Sequence, residues 1–97
     1  MLRITLINPT DIDPKDFVSL KYVGMADGTY RFAHVMDEHC QMVNEGEVPI
    51  SGGVIMVAPD YWKMQSTGSM SLKLPTTAED EDNLTRILNR RLKPYWE

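Results

Sequence analysis

Cys40 is the only cysteine in this 97-residue chain. No internal disulfide can staple the fold, and a cysteine-rich zinc site lacks its ligands. A lone thiol fits a reducing compartment, so the expected location is cytoplasmic (the host cytoplasm, if the source is a virus). Basic residues are also scarce, 10 against 14 acidic, for a formal net charge of −4. Between Phe32 and Trp62 there is no Lys or Arg, while Asp37, Glu38, Glu45, Glu47 and Asp60 all fall in that stretch. Nucleic acid requires a basic footprint, so direct nucleic-acid binding is not expected. No apolar run approaches the roughly 18 residues of a membrane span, and Met1-Leu2-Arg3 opens no basic-then-apolar leader. Gly52-Gly53 lacks the Lys-Ser/Thr and the helix of a phosphate loop.

What is present is a run of short apolar segments punctuated by turn residues, as in a single small domain. Leu2 to Leu6 alternates as a half-buried strand does. Asn8-Pro9-Thr10-Asp11 and Asp13-Pro14 break it, since proline cannot donate to a ladder. Phe17 to Met25 and Thr29 to Met36 flank Asp27-Gly28, which suits a two-residue type I′ turn. That loop would set Leu20 opposite Val35 and Tyr22 opposite Ala33, with Phe32 on the other face beside Val23. His39 to Val43 is open to two readings, helical from the spacing of Met36, Cys40 and Val43 or extended from the alternation of Cys40 and Met42. The Asn44-Glu45-Gly46 loop that follows favours a strand. Glu47 to Ile50 follows as an edge strand, Ser51-Gly52-Gly53 as a turn, and Val54 to Val57 as a buried central strand. Tyr61 to Gln65 and Ser69 to Leu74 read as a last hairpin around Ser66-Thr67-Gly68.

The C-terminal segment changes period. Pro75 ends the strands, and Thr76 with Glu79 makes a capping box. Leu84, Ile87, Leu88 and Leu92 then form one apolar stripe of a helix running to Lys93. Acids lead this helix and Arg86, Arg90, Arg91 and Lys93 trail it, which complements the helix dipole. Asp82 and Arg86 are ordered for an i,i+4 pair. The expected fold is therefore α+β: an antiparallel meander of about six or seven short strands, as a sheet or partly closed barrel, with one C-terminal helix packed on it.

Candidate chemistry is thin. Glu79, Asp80, Glu81 and Asp82 are consecutive, so at about 100° apiece they surround the helix instead of sharing a face. A solvated, dipole-favoured helix start accounts for them, and so does a contact surface for a basic partner. His34, His39 and Cys40 attract notice, but adjacent His39 and Cys40 on a strand would point opposite ways, and a small buried or half-buried cysteine is the ordinary case. Tyr61-Trp62 and Tyr95-Trp96 are either core closures or interface anchors. No acid, base and nucleophile converge, so no catalytic residue, cofactor or metal is expected.

The function class expected is a non-enzymatic binding protein, one that occludes a basic, nucleic-acid-binding surface of a larger protein. Small viral or mobile-element inhibitors and immunity proteins of toxin systems share this composition. The contact would use Glu79, Asp80, Glu81 and Asp82, with Asp37, Glu38 and Trp96. The alternative is a structural subunit of a virion or other oligomer, joined through edge strands and aromatic contacts.

Overall fold

Apolar residues on both faces of one sheet, not on one, decide the architecture. The computed structural model describes residues 4–93. They form an α+β domain with five strands: β1 Val18–Met25, β2 Tyr30–His34, β3 Pro49–Val57, β4 Tyr61–Thr67 and β5 Arg91–Lys93. One helix, α1 Ala78–Leu88, lies between β4 and β5. The spatial order is β2-β1-β3-β4-β5. All neighbours are antiparallel except β4 and β5, which are parallel because α1 carries the chain back before β5 begins.

Leu20, Tyr22, Phe32, Ile55, Val57, Trp62 and Met64 point to one face and bury Leu84 of α1 among them. Trp62 Nε1 also donates to Thr85 Oγ1 at 2.9 Å, which ties helix to sheet at mid-length. The opposite face gathers Val23, Met25, Ala33 and Met42, with Ile4, Leu6, Val43 and Leu72 against them. Each large side chain so buried is worth about 1.5–3 kcal/mol relative to exposure, so both layers contribute to holding the sheet.

Six or seven antiparallel strands were expected, and the structure has five in a mixed, open sheet. Glu47–Ile50 and Val54–Val57 are not separate, since β3 runs unbroken through Ser51, Gly52 and Gly53. These glycines serve close packing and not a turn. A Cβ on Gly53 would meet Tyr22 Cε2 at 2.7 Å and Thr76 Oγ1 at 2.9 Å. Ser69 and Leu74 form only an isolated bridge that closes a tight loop. His39–Met42 is a 3-10 turn, not a strand, with Gln41 Oε1 accepting from Glu38 N at 3.2 Å. Residues 4–6 form no strand, although Ile7 bridges Phe32 on the outer side of β2; Leu2 and Arg3 lie outside the described residues.

The first hairpin is displaced by one residue. Met25 N donates to Thr29 O at 2.8 Å, so the loop is Ala26-Asp27-Gly28, with Gly28 alone in the left-handed region at φ 89°. Leu20 therefore pairs with His34 and Tyr22 with Phe32, which moves Phe32 onto the α1 face. The helix also stops earlier than its stripe suggested. Asn89 adopts φ 54° at its C-terminus, and Leu92 sits in β5 at 37% exposure.

Candidate functional site

The start of α1 is one residue later than the sequence indicated, and this changes the meaning of the acidic run. Thr77 is the N-cap, with extended φ −107° and ψ 158°, so Asp80 and not Glu79 occupies the third helical position. That position points back over the cap and down onto the sheet. Asp80 is 1% exposed. Its Oδ2 accepts from Tyr22 Oη at 2.8 Å and from Thr77 N at 3.0 Å. Its Oδ1 accepts from Tyr30 Oη at 2.5 Å and from Ser51 Oγ at 2.9 Å. One side chain thus joins α1 to β1, β2 and β3. Thr76 Oγ1 extends the cluster by donating to Gly52 O at 2.8 Å and accepting from Gly68 N at 2.8 Å.

The electrostatics of the cluster favour holding over proton transfer. Burial pushes the Tyr22 hydroxyl well above the usual tyrosine value; the Thr76 hydrogen bond opposes that, and Asp80 adds to it. Burial, then the Asp80 hydrogen bond, pushes Tyr30 up to about 12, with Glu79 adding repulsion. Both phenols stay protonated at neutral pH and donate to the carboxylate, which makes them poor acids and poor nucleophiles.

With Asp80 turned inward, Glu79, Glu81 and Asp82 are left exposed around the helix tip. The tip stands at the end of the sheet where β1 turns into β2. Asp27 lies in that turn, held below its ordinary value by the Thr29 hydroxyl and amide. Glu47 is nearby but engaged: Arg31 pairs with it bidentately, Asn44 N donates to it at 2.6 Å, and its carboxyl is drawn down to about 2. This is the one ion pair among the described residues. Arg86 bonds Asn83 Oδ1 and not Asp82.

The remaining candidates do not join this tip. Asp37 and Glu38 follow the other end of β2 and lie on the sheet face opposite α1, where Asp37 O accepts from Lys21 Nζ. Trp96 lies outside the described residues. Cys40 is exposed and not buried, because in a 3-10 turn it is His39 and Met42 that point inward. His39 places Nε2 2.9 Å from Gly53 O and is held below its ordinary value chiefly by burial. Among the described residues no three or more His, Cys, Asp or Glu side chains are placed to share a metal ion. No helix is long and apolar enough to cross a membrane, again among the described residues. No family model matches the chain, and neither a curated protein nor a solved structure matches it.

Sequence reasoning missed the partners of Asp80. Tyr22 and Tyr30 were legible as strand residues and Ser51 as a turn residue. The available signal was Thr77 followed three positions later by Asp80, a second capping pattern one step along from Thr76 and Glu79.

Proposed function

We propose that this chain is a binding protein whose acidic helix tip engages a basic surface on a larger protein, in the manner of an inhibitor that occludes a nucleic-acid groove. The observation that carries the reading is the buried Asp80 anchor, which fixes the first turn of α1 to three strands while Glu79, Glu81 and Asp82 face solvent. A charged group that is already ordered loses less conformational entropy on binding, so such a tip is suited to electrostatic recognition. Asp27 adds a fourth exposed carboxylate at the same end of the sheet. Asp37 and Glu38 belong to a separate surface in this reading and contribute less.

The test keeps Asp80 and replaces Glu79, Glu81 and Asp82 with Ser. Parent and variant are immobilised, exposed to host lysate, and washed at about 50 and about 300 mM salt, a range over which screening strengthens steeply. A nucleic-acid enzyme held by the parent at low salt and absent from the variant is the expected result. Equal retention by both defeats the proposal. A second reading, assembly into an oligomer, draws support from Met36 and Met70, which are 84% and 95% exposed. It predicts self-association that rises with concentration and ignores salt.

A further inference from the structure

The opposite end of the sheet carries the opposite charge, on an open edge. In the parallel pair of β4 and β5, Tyr61 lies beside Arg91, Trp62 beside Leu92 and Lys63 beside Lys93. Trp62 is buried in the α1 core, so strand alternation puts Tyr61, Lys63, Arg91 and Lys93 together on the other face. Lys93 Nζ sits 4.5 Å from the centroid of the Tyr61 ring, as that shared face requires. Lys63 and Lys93 are like charges directly across a ladder, an arrangement that opposes pairing unless an anion intervenes. None of these three cations forms an ion pair among the described residues. Asp60 borders the same groove of about 360 Å³, but its contact with β5 is through the backbone, where its oxygen accepts from Arg91 N at 3.4 Å.

Arg91 N points to β4, so by alternation the N–H and C=O of Leu92 point away from the sheet. Among the described residues no strand pairs with that outer side. The other edge of the sheet is different, because Ile7 N already donates to Phe32 O of β2 at 2.7 Å. Edge lysines repel a second basic edge, and they attract an acidic one.

We propose that the outer edge of β5 receives an extended acidic segment of a partner protein, added as a further strand, with Leu92 supplying the main-chain bonds and Lys63, Arg91 and Lys93 supplying the charge. A second copy of the chain fits poorly, since its β5 edge is equally basic and its β2 edge is bridged. Single-stranded nucleic acid fits poorly as well. It would need the Tyr61 ring for stacking, and Lys93 covers that ring. Main-chain pairing at an open edge is how strand addition gains affinity.

The experiment uses the whole chain, isotope-labelled for NMR, and an acetylated, amidated peptide of about six alternating Glu and Val residues, a common strand length. Shifts confined to Leu92, Lys93, Lys63 and their neighbours are expected, with no response to a Lys-Val peptide. Leu92→Pro removes the outward donor without touching the ladder to β4, and should weaken the Glu-Val peptide about tenfold. Lys93→Glu, which also relieves the repulsion with Lys63, should weaken it at least as much. The proposal is overturned if oligothymidylate binds as tightly as the peptide, or if neither substitution alters peptide affinity.

Discussion

Replacing Asp80 with Ala is the most direct probe of how the acidic tip is held. The substitution removes the acceptor for four donors at once. Tyr22 keeps Thr76 Oγ1 as an acceptor at 3.1 Å, whereas Asn83 Nδ2, 3.1 Å from Tyr30 Oη, is itself a donor and cannot replace the carboxylate. Ser51 Oγ and Thr77 N have no second partner among the described hydrogen bonds. Three donors without acceptors, Ser51 Oγ buried and Thr77 N and Tyr30 Oη half-buried, cost about 1–3 kcal/mol each, towards the lower figure for the half-buried two, for a loss of about 3–5 kcal/mol. Set against a domain stability on the order of 5–15 kcal/mol, this is a severe change. With a urea slope of about 1.5 kcal/mol/M, the unfolding midpoint should fall by about 2–3 M.

Asp80→Asn makes the reasoning sharper. Thr77 N can only donate, so the amide oxygen must take the Oδ2 place. Its NH₂ then faces Tyr30 and Ser51, whose hydroxyls can turn to accept. The expected loss is about 1–2 kcal/mol, well short of the alanine variant. Serine at Glu79, Glu81 and Asp82, each exposed, should change stability by no more than about 0.5 kcal/mol apiece. Equilibrium urea unfolding followed by circular dichroism measures all three variants. A midpoint for Asp80→Ala within about 0.3 M of the parent would refute the buried-anchor account, because that is under 1 kcal/mol at any ordinary slope.

Gly53→Ala drives a methyl into Tyr22, Ser66 O and Thr76, and should cost about 2–3 kcal/mol, a melting temperature lower by about 10 °C or more. Gly28→Ala meets nothing within 4 Å but is strained at φ 89°, so its loss should be about 1 kcal/mol; equal losses at the two sites would contradict the packing argument for Gly53. His39 titrates below its ordinary 6.5 when folded, so the unfolded chain takes the proton first and stability, full above about that pH, declines as pH falls through the lowered value. Urea midpoints stepped through that range should show the decline in the parent and lose it in His39→Gln. Glu47, drawn from 4.5 down to about 2 by Arg31, contributes stability above 4.5 that disappears as pH falls towards 2. Glu47→Gln should remove that part of the acid transition, and an unchanged acid profile would speak against the pair.

The pairing of β1 with β2 was legible because Asp27-Gly28 marks a reversal between two apolar runs, and the final helix because its cap and stripe agree. The loop length was not legible. A two-residue and a three-residue loop place the same glycine in the turn, and the one-residue difference decides which face Phe32 joins. Gly52-Gly53 misled for a related reason. Glycine serves equally where a chain turns and where two elements come close, and the crowding by Tyr22 and Thr76 exists only after β1 and the residues preceding α1 have converged. The extra turn of helix drawn through Leu92 followed the apolar period, whereas Asn89 in a left-handed conformation ends it.

The acidic run shows how near the sequence came to its own answer. Four consecutive positions at about 100° each span roughly 300° of a helix, and a helix packed on a sheet gives up about 100° or more to the core. One of the four acids therefore has to face inward, and it must meet enough donors to offset its desolvation. Asp80 is that residue, and Tyr22, Tyr30, Ser51 and Thr77 are those donors. The inward turn of this one acid is what ties the start of α1, which carries the other three, to the sheet. Under the proposed function, fold and recognition become separable: Asp80 is to be tested by unfolding, and Glu79, Glu81 and Asp82 by binding. A variant set in which unfolding and binding failed together at the exposed positions would show that the tip is not the independent surface this geometry describes.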